Sequence, residues 1–318
     1  MTTFLSFFCL PFQRKKIYNI YRDGGKQSHM WKSILAFPIV LIFFYGCTSI
    51  EIKEEDVFDI KRTISPSHFR NTAYQFEEVR FVSGKNLSLE GWFISHPASQ
   101  GTVLYYGGNG FLMETAYETI HSIIGRGMNL FVFNYRGYGT NSGKPTISGI
   151  KTDGMAAYNY LVDKKGISPS RIIIHAHSLG TIVGGYVADQ EQVGGLVMES
   201  PISDARYYTD KMLPGLLRPF IKIRVDSSLL VDSNTDRLSR LSVPLLIIVG
   251  KDDPITPPAM AKKLYNIAPA KNKTLKILDK GGHNDLPERK DYQAFLGDFY
   301  KNSLKQNLTN KDTRSSSQ

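Results

Sequence analysis

Three side chains in the second half of the chain could together carry out nucleophilic attack on a carbonyl: Ser178, Asp253 and His283. Ser178 stands in Ala176-His177-Ser178-Leu179-Gly180, between the apolar run Arg171–His175 and a stretch of small residues. That pattern reads as a strand, a tight turn and a helix start, which lifts the hydroxyl above the sheet. The residues two before and two after such a serine must be small, because the flanking backbones approach closely. Here they are Ala176 and Gly180. A hydroxyl is a weak nucleophile until a base takes its proton, and an imidazole oriented by a carboxylate does this well. His283 lies in Lys280-Gly281-Gly282-His283-Asn284-Asp285 and Asp253 in Gly250-Lys251-Asp252-Asp253-Pro254, each just past a strand-like run. A serine in such a pentapeptide is also what a helix cap requires, so the motif alone leaves both readings open.

Other groups compete for these roles. Asp252 is the alternative acid. His175 and His177 stand too close to Ser178 along the chain to act as its base and read as packing or orienting groups. His68, His96 and His121 are isolated, and no metal site is expected from them. Leu104–Phe111 (LYYGGNGF) is a glycine-rich loop after a strand. The backbone N–H of Asn109, or of its neighbour Gly110, would pair with that of Leu179 as donors to an oxyanion. The bland alternative is a plain turn.

These residues need a scaffold that brings strand ends together. The hairpin Phe76–Val82 and Leu87–Ile94 turns at Ser83-Gly84-Lys85-Asn86. Strand-like runs follow at Thr102–Tyr106, Leu130–Asn134, Arg171–His175, Gly195–Glu199, Pro244–Val249 and Thr274–Leu278. Helical patterns at Glu114–Gly125, Ile147–Val162, Leu179–Gln190, Pro257–Ile267 and Pro287–Tyr300 alternate with them, which predicts a mainly parallel sheet covered on both faces.

Asn129–Gly143 (NLFVFNYRGYGTNSG), Ser168–Gly180 (SPSRIIIHAHSLG), Gly250–Pro257 (GKDDPITP) and the GGHND run together resemble one family. It is the serine-hydrolase group of the α/β-hydrolase superfamily, which includes the mammalian α/β-hydrolase-domain proteins and the S33 serine aminopeptidase-like proteins. The resemblance covers Phe76–Tyr300. It implies an eight-stranded, mainly parallel sheet with helices on both faces, and esterase, thioesterase or less often peptidase activity, with no metal or organic cofactor. It maps the nucleophile to Ser178, the base to His283, and the acid to Asp253, whose spacing from Gly250 favours it over Asp252. Glu199 stands where some relatives carry the acid. Ala176 replaces the family's first glycine, and Gly107 stands where many relatives have a histidine. The second departure bears on the support of the oxyanion loop. The turn Tyr135-Arg136-Gly137-Tyr138-Gly139 is expected to shape the rim behind the nucleophile. A non-catalytic, hydrolase-like binding protein is a rival reading, and the intact Ser-Asp-His set argues against it.

The hydrolase domain is expected over 76–301, with a cap insert at 200–243 too short for a large lid. Within the insert, Met212–Leu217 and Pro219–Ile221 are apolar enough to line an acyl pocket, and Lys211, Arg218, Lys222 and Arg224 could face anionic head groups. The formal net charge is +10, but six basic residues and one acid, Asp23, precede Cys47 and supply half of it. With no zinc-finger spacing, basic-aromatic stripe or helix-turn-helix pattern, a nucleic-acid partner is not expected. The two cysteines, Cys9 and Cys47, both lie in the N-terminal extension 1–47, so the body has neither disulfide nor thiolate chemistry. There the apolar run Ile34–Tyr45 follows Lys32 and meets Gly46-Cys47. It is shorter than the roughly 20 residues a membrane span needs and fits a signal core. A small residue then cysteine resembles the bacterial lipobox, which implies lipidation of Cys47, a cell-envelope location and a membrane surface as partner; an uncleaved anchor and a non-lipoprotein signal are the alternatives. Translation starting at Met30 would fit such a signal. A polar tether at 48–75 and a disordered tail at 302–318 complete the expected organisation.

Overall fold

Runs such as Leu245–Gly250, apolar at nearly every position, suit strands covered on both faces, and they form the middle of this fold. A computed structural model describes residues 48–52, 74–204, 221–226 and 233–315. The chain divides into Met1–Thr48, of which only Thr48 is described, and Ser49–Gln318. The strands, in chain order, are β1 (Thr48–Ile52), β2 (Gln75–Ser83), β3 (Leu87–Ser95), β4 (Thr102–Tyr106), β5 (Asn129–Phe133), β6 (Ile172–His177), β7 (Gly195–Glu199), β8 (Ile221–Val225), β9 (Leu245–Gly250) and β10 (Lys273–Leu278). Eight of them form one sheet in the order β10-β9-β7-β6-β4-β5-β3-β2. Only β3 runs against the rest, antiparallel to both β2 and β5.

The order reverses around β4. The chain passes from β4 to β5 on one side, then returns to lay β6 on the other. Connections therefore diverge at the carboxyl ends of β4 and β6, leaving a crevice where open α/β sheets bind ligands.

Among the described residues the α-helices are α1 (Tyr117–Ile124), α2 (Ile147–Asn159), α3 (Gly180–Gln190), α4 (Asn234–Leu238), α5 (Pro258–Ile267) and α6 (Lys290–Ser315). Alternation along the strands makes two cores. Leu104, Ile172, Ile174, Leu196 and Ile247 pack with Ile150 of α2, Val183 of α3 and Leu264 of α5. Val103, Ile173, Val197, Leu246 and Ile248 pack on the other face with Ile123 of α1 and Leu296 of α6. Each such side chain stabilises by about 1.5–3 kcal/mol when fully buried.

Two expectations are corrected. Residues 302–315 continue α6 instead of forming a disordered tail: the stretch after Gly297 has neither proline nor glycine, so nothing stops the helix. The segment read as a polar tether contains β1, which pairs with β8 of the insert in a separate two-stranded sheet. The signal ending at Cys47, His68, Lys211, Met212–Leu217 and Arg218 lie outside the described residues. Among the described residues no helix is long and apolar enough to cross a membrane.

Candidate active site

Ser178 occupies the turn between β6 and α3 with φ of 51°, a left-handed conformation that a non-glycine residue adopts only under constraint. Its N–H donates to the Glu199 carbonyl at 3.0 Å, and its own carbonyl accepts from the Thr181 N–H at 3.0 Å. The turn is tight because Gly180 has no side chain to interfere. A methyl group at Gly180 would stand 2.1 Å from the carbonyl oxygen of Tyr106, at the end of β4. Ala176 is tolerated because the helix facing it presents Gly184, where a methyl group would lie 2.7 Å from the Ala176 Cβ.

His283 and Asp253 arrive on the loops after β10 and β9. Gly250 lets these loops touch backbone to backbone, since a side chain there would meet the Gly281 and Gly282 carbonyl oxygens at 2.3 and 2.4 Å. The Asp252 N–H donates to the Gly281 carbonyl at 2.9 Å, fastening one loop to the other.

The result is a continuous line of hydrogen bonds. The Ser178 hydroxyl donates to His283 Nε2 at 2.9 Å, and His283 Nδ1–H donates to Asp253 Oδ2 at 2.8 Å. A carboxylate can only accept, so this arrangement selects the Nδ1–H tautomer and leaves a lone pair facing the hydroxyl. Asp253 is 3 % exposed. Its Oδ1 accepts the N–H groups of Ile255 (2.8 Å) and Thr256 (2.9 Å), and its Oδ2 also accepts the Thr256 hydroxyl at 2.8 Å. Burial alone would raise its carboxyl pKa. The hydrogen bond and charge of His283, with the bonds from Thr256, outweigh that and hold it below the ordinary value.

The structure thus brings Ser178, His283 and Asp253 together. Asp252 is exposed, and its carboxylate takes no hydrogen bond from His283. Glu199 is buried elsewhere, accepting from Tyr292 at 2.7 Å and pairing with His175 at 3.1 Å. His175 Nδ1 in turn meets the Tyr300 hydroxyl at 3.0 Å. Burial pushes Glu199 up, but the bond from His175, the charges of His177 and His175, and the Tyr292 bond bring it below its ordinary value.

The loop Gly107–Phe111 lies against the Ser178 turn. A methyl group at Gly108 would sit 2.9 Å from His177 Nδ1 and 3.2 Å from Ser178 Cβ. At Gly107 it would strike the Phe111 ring at 2.2 Å. Phe111 fills that space. Asn109 is held by Tyr138, whose hydroxyl donates to its side-chain oxygen at 2.9 Å. This gives the Tyr135–Gly139 turn a specific contact with the loop. Leu179 precedes the first turn of α3, where backbone N–H groups have no intrahelical acceptor.

Thr256 was not singled out from the sequence, and His177, read there as a packing or orienting group, makes a contact the sequence did not specify. Thr256 follows Asp253 by three residues, the spacing at which an aspartate caps its own turn, so that signal was present. His177 carries no such signal for its contact: its Nε2 lies 3.0 Å from the His283 carbonyl oxygen. Burial, partly offset by Glu199, lowers the His177 pKa, and its Nε2–H donates to that oxygen. Among the described residues no three His, Cys, Asp or Glu side chains cluster as metal ligands.

A family model described as serine aminopeptidase, S33, matches residues 203–290. An uncharacterized protein of Mycobacterium tuberculosis is 31% identical over 215 residues, 66% of this chain and 73% of the relative. WAV2 of Arabidopsis thaliana, an alpha/beta hydrolase domain-containing protein, is 28% identical over 214 residues, 62% of this chain and 68% of its own. The Pyrococcus furiosus esterase Pf2001 superimposes with a TM-score of 0.59 at 21% identity, covering 76% of this chain and 100% of that one. At that identity the likeness is one of fold.

Proposed function

Because this chain belongs to the α/β-hydrolase superfamily, we propose that it is a serine hydrolase cleaving carboxylic ester or thioester bonds through an acyl-enzyme. One observation carries the reading: the unbroken line Ser178 Oγ–His283 Nε2 at 2.9 Å and His283 Nδ1–Asp253 Oδ2 at 2.8 Å. His283 takes the Ser178 proton as the oxygen attacks the acyl carbon, and Asp253 holds the imidazole and stabilises its cationic form. The N–H groups of Asn109 and Leu179 are assigned to the developing oxyanion. His283 then returns the proton to the leaving alcohol or thiol, and water, activated by the same base, releases the acid. No metal or organic cofactor enters this cycle.

A fluorophosphonate is expected to modify Ser178 alone, read by peptide mass spectrometry. Ser178→Ala should lose about 10⁴–10⁶ in rate with folding retained. Substantial ester hydrolysis by that purified variant would overturn the assignment. The S33 model match favours one second reading, an aminopeptidase with the same Ser-His-Asp chemistry. Peptide and acyl-ester panels assayed side by side separate the two.

The substrate class is a small-molecule or lipid acyl ester met at a membrane surface. We assign that location to Cys47, lipidated after cleavage of the signal core Ile34–Tyr45. Thr48 rather than aspartate follows it, which favours the outer membrane in a Gram-negative host. Mass spectrometry of the mature N-terminus is expected to find a lipid-modified Cys47. An intact leader, or an unmodified Cys47 in the soluble fraction, rules this out.

A further inference from the structure

A left-handed serine must be held in place, and the hydrogen bonds around Ser178 identify what holds it. Besides the backbone bonds described above, its carbonyl accepts the Thr181 hydroxyl at 2.6 Å. That hydroxyl is fully buried and has two donors of its own: the Ile202 N–H at 3.2 Å and the Asn234 side-chain amide at 3.4 Å. Asn234, also fully buried, donates more strongly to the Ile202 carbonyl at 2.8 Å. One residue further along each strand of chain, the Thr235 N–H donates to the Ser203 carbonyl at 3.1 Å. Ile202 and Ser203 open the insert 200–243, and Asn234 and Thr235 belong to its closing part, in α4. Both ends of the insert therefore meet at one hydroxyl, and that hydroxyl grips the carbonyl of the candidate nucleophile.

The packing is built for this contact. A methyl group at Gly185 of α3 would lie 2.3 Å from Asn234 Oδ1, so the helix leaves a gap into which the amide fits. Thr181 is the second residue of α3, where a hydroxyl can reach back to the turn. A strained conformation survives only where its surroundings over-determine it. Here the Glu199 carbonyl fixes one side of Ser178, and Thr181 fixes the other.

We propose that Thr181 and Asn234 are positioning residues that hold Ser178 in its reactive conformation and couple it to the ends of the insert. This rests on Ser178 being the nucleophile. Neither residue touches the reacting atoms; they act through the Ser178 carbonyl. Removing the hydroxyl weakens the hold on that carbonyl, which keeps the Thr181 N–H at 3.0 Å, and the serine oxygen spends less time aligned with His283.

The test uses the full-length protein and a p-nitrophenyl ester. Thr181→Val keeps the side-chain shape and removes the donor. It is expected to lower kcat about tenfold, the rate equivalent of roughly one hydrogen bond, with KM within twofold. Phosphonylation of Ser178 should slow in parallel. Thr181→Ser restores the hydroxyl and should recover most of kcat. Asn234→Ala should lose about threefold. The double variant Thr181→Val, Asn234→Ala should fall little below Thr181→Val alone, because both act through one hydroxyl. A wild-type kcat per titrated active site in Thr181→Val, or fully multiplicative losses in the double variant, overturns the proposal. If Thr181→Val does not fold, Asn234→Ala decides, and an unchanged kcat there overturns it. Failure of the phosphonate to label Ser178 in the unaltered enzyme is a distinct result: it removes the nucleophile assignment and this proposal with it.

Discussion

Replacing Asp253 by asparagine exchanges one oxygen for an amide nitrogen, and the structure dictates where that nitrogen must go. Oδ1 receives two backbone donors, from Ile255 at 2.8 Å and Thr256 at 2.9 Å. Neither N–H can turn away. An NH₂ group placed there would lose both bonds and face two donors, at about 1–3 kcal/mol for each group left unpaired. The asparagine oxygen therefore stays at that position, and its NH₂ occupies the Oδ2 site, 2.8 Å from His283 Nδ1. An amide nitrogen only donates, so His283 must offer a lone pair at Nδ1 and carry its proton on Nε2. That proton points at Ser178, 2.9 Å away, and the base is gone while the fold stands. The wrong tautomer in a Ser-His-Asp triad is worth about 10⁴ in kcat, which corresponds to roughly 5.5 kcal/mol of barrier. The assay is kcat and kcat/KM on p-nitrophenyl acetate and butyrate, with thermal unfolding measured on the same preparation. Asp252→Asn is the control: the residue is exposed, and its loop contact is made by the backbone, so activity should stay within about twofold. Activity of Asp253→Asn within tenfold of the unaltered enzyme would refute this reasoning. So would the reverse ranking of the two variants.

The buried pair of His175 and Glu199 should matter for stability more than for chemistry. His175→Leu strands the Glu199 carboxylate with the Tyr292 hydroxyl as its remaining side-chain donor, and is expected to cost about 3–5 kcal/mol in denaturant unfolding. A loss below about 1 kcal/mol would mean that Glu199 does not need its partner. Acid should destabilise the protein in two stages. Burial depresses the folded pKa of His177 and His121, so their contribution is complete above the unfolded value near 6.5 and is lost as pH falls through the lower folded values. Asp253 and Glu199 are also held below their ordinary values, so their contribution is complete above about pH 4 and disappears below it. The melting temperature should therefore decline gently below about pH 6.5 and steeply below about pH 4. His177→Gln should flatten only the first limb, and a melting temperature that rises between pH 7 and 5.5 contradicts the account.

Strand positions were legible because a two-sided buried strand has to be apolar throughout. Ile172–His177 and Leu245–Gly250 announce themselves in this way, and they lie within a residue or two of the runs read from composition. Helix ends were less legible where distant side chains set them. Glu114–Gly125 reads as one helix, but the chain makes a short 3₁₀ turn at Met113–Thr115 before α1 begins. The cause is Asn134, some twenty residues away, which accepts the Met113 N–H at 2.9 Å and donates to the Glu114 carboxylate at 2.9 Å. No local pattern encodes that. The same holds for His175, which sits in an apolar strand and looks misplaced. Its partners Tyr292 and Tyr300 are more than a hundred residues downstream, and they become neighbours only when α6 packs across the sheet.

The two departures from the family pattern show what a motif specifies physically. A glycine two residues before the serine is usually read as a demand on that residue. In this chain Ala176 stands there, and the demand is met from across the contact, where Gly184 gives up the volume that Ala176 takes. The loop Gly107–Phe111 behaves the same way. The space that a histidine at 107 would fill is occupied by Phe111, which also packs on Tyr105 with ring centroids 5.3 Å apart. Gly180 has no such freedom. Its opposing surface is the carbonyl oxygens of Tyr106 and Gly107, which no substitution can shrink. A small residue is thus exchangeable where a side chain faces it and irreplaceable where backbone does. On that basis Gly180→Ala is expected to disrupt the Ser178 turn, whereas Ala176→Gly leaves its geometry intact.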